Sequence, residues 1–215
     1  MSRKPRPTAP LTTYHVILRC NNSDFAFKSR SDFLALLSVI SHYKLQYHFK
    51  LFGYCLMHSH AHLIIQTPED LSASISNIMH DIAWRFALLY NRKHGRKGHF
   101  FNERFKSPLV EADVYGITLL RYIFQNPVRA GMVEKPRDWE FSSYRVYEEG
   151  AMDALVDFMP GYLGMSACRL RRAVLFRDLV ESRSMKRDTG WSNNYAIGSE
   201  SFIRKMLREH APGPP

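Results

Sequence analysis

The stretch Met57-His58-Ser59-His60-Ala61-His62-Leu63-Ile64-Ile65 decides how this chain is read. Side chains along a strand alternate between its two faces, so His60 and His62 share one face while Ala61, Leu63 and Ile65 share the other. The second set reads as core. The first places two imidazoles side by side, half of a divalent-metal site. His60 to Gln66 is therefore a predicted strand, closed by Pro68 and entered through a tight turn near His58-Ser59. His58 lies outside the alternating pair and reads as solvent-facing, with a part as a spare base left open.

Working outward, the flanking segments supply a sheet and its helices. Tyr14 to Cys20 alternates as a strand, with Tyr14, Val16 and Leu18 pointing one way and His15, Ile17 and Arg19 the other. Ser31 predicts the N-cap of a helix reaching about Lys44. Tyr47 to Met57 reads as a second strand. Ser72 or Ser74 caps a helix with Ile75, Ile78, Met79, Ile82, Phe86 and Leu89 at helical spacing. Ser107 to Ala112 is a short strand, and Asp113 caps a helix that Pro127 ends after Asn126. The order β-α-β-β-α-β-α predicts an α+β fold, a ferredoxin-like sandwich with an antiparallel sheet and helices on one face. After about Ala130 the character changes. Trp139 to Tyr147 is aromatic and basic, and helices are predicted at about Ser166–Ser184 and Ser199–Glu209. The first carries Arg169, Arg171, Arg172 and Arg177, so this helical C-terminal extension is either a packing appendage or an added nucleic-acid contact. The chain thus divides into a flexible basic tail (1–11), a main domain (12–150) and the extension (151–215).

A chain of 215 residues with 45% hydrophobic content is enough for one domain with a real core. No apolar run reaches membrane-spanning length and Met1 to Pro10 has no signal-peptide core, so the expectation is a cytoplasmic protein without a membrane partner. Cys20, Cys55 and Cys168 show no paired spacing; they read as reduced, mostly buried thiols, and a structural zinc site is a weaker alternative because no cysteines lie at ligand spacing. The 30 Lys and Arg against 20 Asp and Glu leave +10, which favours a polyanionic partner. Arg92, Lys93, Arg96, Lys97, Arg104 and Lys106 cluster with His94, His99, Phe100, Phe101 and Phe105, cations for phosphates and aromatic faces for unstacked bases. Gly95 and Gly98 make this stretch a predicted loop.

The helix from Asp113 offers the rest of a site. Tyr122 and Asn126 are one turn apart on one face. An asparagine oxygen can meet a hard divalent cation. A phenol, with a pKa of about 10, can attack phosphorus once a metal or base activates it. A metal held by His60, His62 and Asn126 would polarise the phosphate under attack. Tyr122 is equally suited to helix packing, and Tyr115, two turns back, is a second possible nucleophile; the residues alone leave these open.

Tyr122-Ile123-Phe124-Gln125-Asn126-Pro127-Val128-Arg129-Ala130-Gly131 resembles the Tyr-Ile-x-x-Asn-Pro-Val-Arg-Ala-Gly segment of the IS200-like Y1 transposases, in the His-hydrophobe-His (HUH) superfamily. The branch it most resembles is the REP-associated tyrosine transposases. His60-Ala61-His62 matches that superfamily's motif. Asn91 through Gly98, and Phe101-Asn102-Glu103-Arg104-Phe105-Lys106-Ser107, resemble its Asn-basic-Gly and Gln-x-Arg-Phe-Lys-Ser region; Tyr14-His15-Val16 with Arg19 resembles its first strand. The resemblance spans about residues 12–147. It implies a ferredoxin-like catalytic domain over 12–150, with Mg2+ or Mn2+ as cofactor. It implies cleavage and rejoining of single-stranded DNA beside REP-like hairpins through a 5′-phosphotyrosine, by a protein of the cytoplasm and nucleoid. By position it makes His60 and His62 metal ligands, Tyr122 the nucleophile and Asn126 the third ligand, with Gln125 as fallback. The candidate DNA contacts are Arg19, Arg92, Lys93, Arg96, Lys97, Arg104, Lys106 and Arg129. Relatives have Pro-Asn where this chain has His58-Ser59, and the long C-terminal part leaves monomer or homodimer open. The alternatives are a hairpin DNA- or RNA-binding module without catalysis, and a rolling-circle replication initiator or relaxase. The Asn-Pro-Val-Arg-Ala-Gly segment speaks against the latter.

Overall fold

The alternating segments form strands and the periodic ones helices, in the predicted order. The computed structural model describes residues 9–21, 26–70, 72–102, 104–182 and 196–210. β1 (Thr13–Arg19), α1 (Arg30–Tyr47), β2 (Lys50–Leu56), β3 (His60–Gln66), α2 (Ile75–His94), β4 (Leu109–Val110) and α3 (Val114–Arg129) build the core. The sheet runs β2-β3-β1-β4 with antiparallel neighbours, the ferredoxin-like order. A fifth strand, β5 (Ala196–Ile197), adds to β4 in parallel, so the sheet is mixed.

Both faces of the sheet are covered, not one. Tyr14, Val16, Leu18, Ala61, Leu63 and Ile65 join α1 and α2 in one apolar core. Ile64 and Phe52 on the opposite face meet Ile117, Leu120, Ile123 and Phe124 of α3 in a second core. The histidine face is therefore an interface between sheet and helix, with β1 buried on both sides.

The boundaries differ from expectation for local reasons. Ser29, not Ser31, caps α1: it lies three residues before Asp32, whose carboxylate accepts its backbone N–H at 2.9 Å. α1 continues to Tyr47, so β2 begins only at Lys50. Ser74 caps α2, which runs to His94; Gly95 ends it at φ 62°, a conformation that costs glycine nothing. Arg92 and Lys93 thus belong to the last helical turn and not to the loop. β4 keeps only two residues of the expected six. Pro127 does not stop α3. It lies in the last turn, where the loss of one N–H donor is tolerated, and its carbonyl accepts from Met132 at 2.9 Å.

The aromatic stretch after Trp139 is packing. Trp139 Nε1 donates to Leu56 O at 2.9 Å, and Phe141, Tyr144 and Tyr147 are buried. α4 (Tyr144–Glu149), α5 (Pro160–Gly164) and α6 (Arg169–Glu181) close over α3, with Ala173, Phe176 and Val180 inside. Arg169 and Arg171 stay on the outer surface, while Arg172 stacks on Tyr162. After β5, α7 (Glu200–His210) lays Phe202, Ile203 and Met206 on the first core. Cys20 and Cys55 are buried free thiols and Cys168 is exposed. Residues 1–8 of the expected tail, residues 183–184 of the expected helix, and Glu103 of the family-like motif lie outside the described residues. No helix among the described residues is long and apolar enough to cross a membrane.

Candidate active site

The site forms where β1, β3 and α3 meet. In the β1–β3 register, Arg19 faces His60, Ile17 faces His62 and His15 faces Ile64, so all six side chains lie on the α3 side of the sheet. The His60 and His62 rings meet edge to face, with centroids 5.0 Å apart. Tyr122 comes down from α3 onto them: its ring is 5.9 Å from His62, also edge to face. The strand period and the helix period thus converge on one point, as the two separate motifs require.

His15 is the residue that reading by motif missed. Its Nε2 lies 2.9 Å from His62 Nδ1, the two rings lie edge to edge with centroids 5.1 Å apart and planes 22° apart, and the Tyr122 ring is 6.3 Å away at a steep angle. The available signal was alternation itself, which had already put His15 on the face of Arg19. Burial keeps both rings neutral: it holds His15 down at about 3, and, together with His15, His60 and Arg19, takes His62 well below the usual imidazole value. His60 is lowered by burial and by Arg19. Ser59 Oγ pairs with His60 Nδ1 at 3.1 Å.

Asn126 follows Tyr122 by one turn of α3, and its amide Nδ2 is buried with no hydrogen-bond partner. Gln125 turns the other way and donates to Val180 O at 2.5 Å on α6, so the fallback residue points away from the histidines. Tyr115 sits about 10 Å up the helix, 38% exposed beside the Asp113 cap. His58 is not solvent-facing. It is half-buried, with Nδ1 3.1 Å from Phe27 O and its ring against Phe33 and Trp139, so the part of a spare base does not suit it.

The predicted cations divide into groups. Arg129 reaches back along α3 as long helical side chains do, and its guanidinium stands 5.4 Å over the Tyr122 ring. Arg19 faces His60 across one strand pair. Lys106 faces Ile17, which faces His62, so Lys106 lies two strands from the site on the same sheet face. Arg92, Lys97 and Arg104 are exposed, and Arg96 lies over Tyr90. Lys93 is engaged internally: its ammonium donates to Asp32 at 2.6 Å and to Ser29 and Ser31. The aromatic partners of this stretch are core more than platform. Phe100 is 1% exposed and packs with Phe27, Phe86 and Tyr90.

A profile of the family described as "Transposase IS200 like" matches residues 8–126, more than half of the chain. The chain belongs to the IS200-like transposase family. A Haemophilus influenzae protein provisionally named a REP-associated tyrosine transposase is 29% identical over 108 residues, 46% of this chain and 60% of that protein, so the chain spans well under its relative's full length. A solved REP-associated tyrosine transposase, bound to a REP hairpin, superimposes with a TM-score of 0.60 at 22% identity, over 73% of this chain and 92% of that one. The second likeness establishes the shared fold.

The donor set of this member of the IS200-like transposase family suits a divalent cation. Nδ1 of each histidine is engaged, by Ser59 and by His15, which leaves Nε2 of both. Turning the Asn126 amide by 180° would put its oxygen where the buried, unpartnered Nδ2 stands, and that oxygen is a donor atom for a hard cation. Two imidazoles and an amide oxygen are acceptable to a borderline or hard metal.

Proposed function

We propose that this IS200-like transposase cleaves and rejoins single-stranded DNA beside hairpins, with Tyr122 as nucleophile and with Mg2+ or Mn2+ held by His60, His62 and Asn126. The observation that carries the reading is the Tyr122 ring lying 5.9 Å from His62, on the sheet face that also carries His60. When bound, the cation supplies polarisation of the scissile phosphate. In the reaction the Tyr122 oxygen bonds to phosphorus and loses its proton, the P–O3′ bond breaks, and the 3′ oxygen takes up a proton. The 5′ phosphate stays on Tyr122, and attack by a 3′-hydroxyl reverses the exchange. Arg129 above the ring, with Arg19 and Lys106 along the same sheet face, would hold the phosphate backbone at the nucleophile. That a solved relative is bound to a REP hairpin supports a hairpin as the DNA element here.

The test is incubation of the protein with labelled single-stranded hairpin DNA from the neighbourhood of its own gene, with Mg2+ or Mn2+, followed by denaturing electrophoresis. A covalent adduct lost in both Tyr122→Phe and His60→Ala is expected. Hairpin binding without any adduct in the wild-type protein would favour a binding module instead. An adduct that survives Tyr122→Phe but not Tyr115→Phe would move the nucleophile to the helix start.

A further inference from the structure

We propose that His15 is the positioning residue of the site: through its hydrogen bond to His62 Nδ1 it orients the His62 ring and fixes the proton on the nitrogen that faces away from the cation. The proposal rests on the metal reading above.

His62 has two ring nitrogens and, being neutral, one proton to place on them. Nδ1 lies 2.9 Å from His15 Nε2, so Nε2 is the nitrogen that a cation can meet. A ligating nitrogen must offer its lone pair, which puts the His62 proton on Nδ1. From there it donates to His15 Nε2, and His15 carries its own proton on Nδ1. In the opposite arrangement His15 donates, and the proton left on His62 Nε2 blocks the ligand position. Metal-ligating histidines generally have a partner for the second nitrogen, most often a carboxylate, a carbonyl or water. Here that partner is another imidazole.

Three observations favour this part for His15 over simple packing. It is fully buried, and its ring lies nearly coplanar with His62, planes 22° apart, so the 2.9 Å contact between the two nitrogens is in the plane of both rings and fixes the direction in which His62 Nδ1 points. Its Nδ1 is buried with no hydrogen-bond partner, so no other group decides which of its nitrogens is protonated. A proton there lacks an acceptor, a cost that ligation of the cation by the His62 Nε2 lone pair has to offset. Finally, among the described residues no three His, Cys, Asp or Glu side chains are placed to hold a metal together, which argues against His15 as a direct third ligand.

The experiment has two readouts on the full-length protein. Mn2+ affinity is measured by EPR of the free ion for wild type, His15→Phe and His15→Gln. Phe keeps a ring and removes the acceptor; the Gln amide can stand where Nε2 stood. Separately, long-range 1H–15N NMR of the wild-type protein saturated with Mg2+ reports which ring nitrogen of His62 is protonated. Expected are a loss of about 10- to 100-fold in Mn2+ affinity for His15→Phe, recovery toward wild type in His15→Gln, and a His62 proton on Nδ1. A folded His15→Phe with wild-type Mn2+ affinity, or a His62 proton on Nε2 in the Mg2+ form, would overturn the proposal. If His15→Phe does not fold, the NMR result on wild type decides alone. A wild-type protein that takes up no Mn2+ and shows no Mg2+ response at His60 or His62 refutes the metal reading itself, and with it the purpose assigned to His15. Mn2+ uptake indifferent to His15 refutes only the part given to His15.

Discussion

Replacing Asp32 by Asn should destabilise the protein by about 2 kcal/mol at neutral pH and by about half of that at pH 3. The Asp32 carboxylate is 1% exposed and lies where the start of α1 meets the end of α2. Lys93 Nζ donates to it at 2.6 Å, His94 Nε2 lies 2.9 Å away, and the backbone N–H groups of Lys28 and Ser29 donate at 3.0 and 2.9 Å. Burial works against the charge, but the hydrogen bonds from Lys93, His94 and Ser29 outweigh it and hold the carboxyl at about 2, below its usual 3.8. Each unit of that difference is worth about 1.4 kcal/mol, which yields about 2 kcal/mol for the ionised form. Because the folded value is depressed, the contribution is complete well above pH 3.8 and is lost as pH falls through the folded value of about 2. At pH 3 the unfolded carboxyl is mostly protonated and the folded one is not, so roughly half of the contribution remains. Asn keeps the shape and one acceptor for the cap and removes the charge. Urea unfolding of wild type and Asp32→Asn at pH 7 and pH 3, compared at equal m-values, measures the gap. A gap below about 0.5 kcal/mol at pH 7, or one as wide at pH 3 as at pH 7, would refute the account, since it would mean that Lys93 and His94 do not stabilise the carboxylate.

Two further outcomes are expected. Lys106→Ala should weaken binding of many single-stranded sequences alike and reduce the salt slope of log K by about 1, as loss of one phosphate contact does; an unchanged slope in a filter-binding titration removes Lys106 from the DNA path. Gly161→Ala should destabilise by about 1–3 kcal/mol, because a Cβ there would lie 2.4 Å from the carbonyl oxygen and 2.9 Å from the carbonyl carbon of Asp113, backbone that cannot move aside without tilting α3. Thermal unfolding checks it, and a midpoint equal to wild type would show that α5 docks more loosely than these distances indicate.

The parts of the site that were legible in the sequence are those set by a local period. A strand repeats every second residue, so His60 and His62 had to share a face wherever that strand lay. A helix repeats near 3.6, so Tyr122 and Asn126 had to share another. The strand-helix order likewise predicted the ferredoxin-like core, and the two-period pattern located β3, α2 and α3 to within a few residues. Expected and observed boundaries differ where a neighbouring signal competes. Ser31 competes with Ser29 for the cap, and the Ser-x-x-Asp box decides for Ser29; Pro127 breaks a helix interior but is tolerated in a last turn.

What no period contains is which surface comes to lie on which. Alternation states that His15 and Arg19 share a face; the pairing of β1 with β3 brings that face beside His60 and His62, and this rests on contacts some 47 residues apart in the chain. In the same way, composition shows that the 92–106 stretch is basic and aromatic, but the burial of Phe100 and the capture of Lys93 by Asp32 follow from the packing of α1 against α2. The sequence by itself determined the chemistry on offer at each face. The tertiary structure decided which faces meet, because burial of apolar surface is non-directional locally and is satisfied only by the arrangement of all the elements together. That arrangement covers the histidine face with α3, sets Tyr122 against His62, and places His15 behind it.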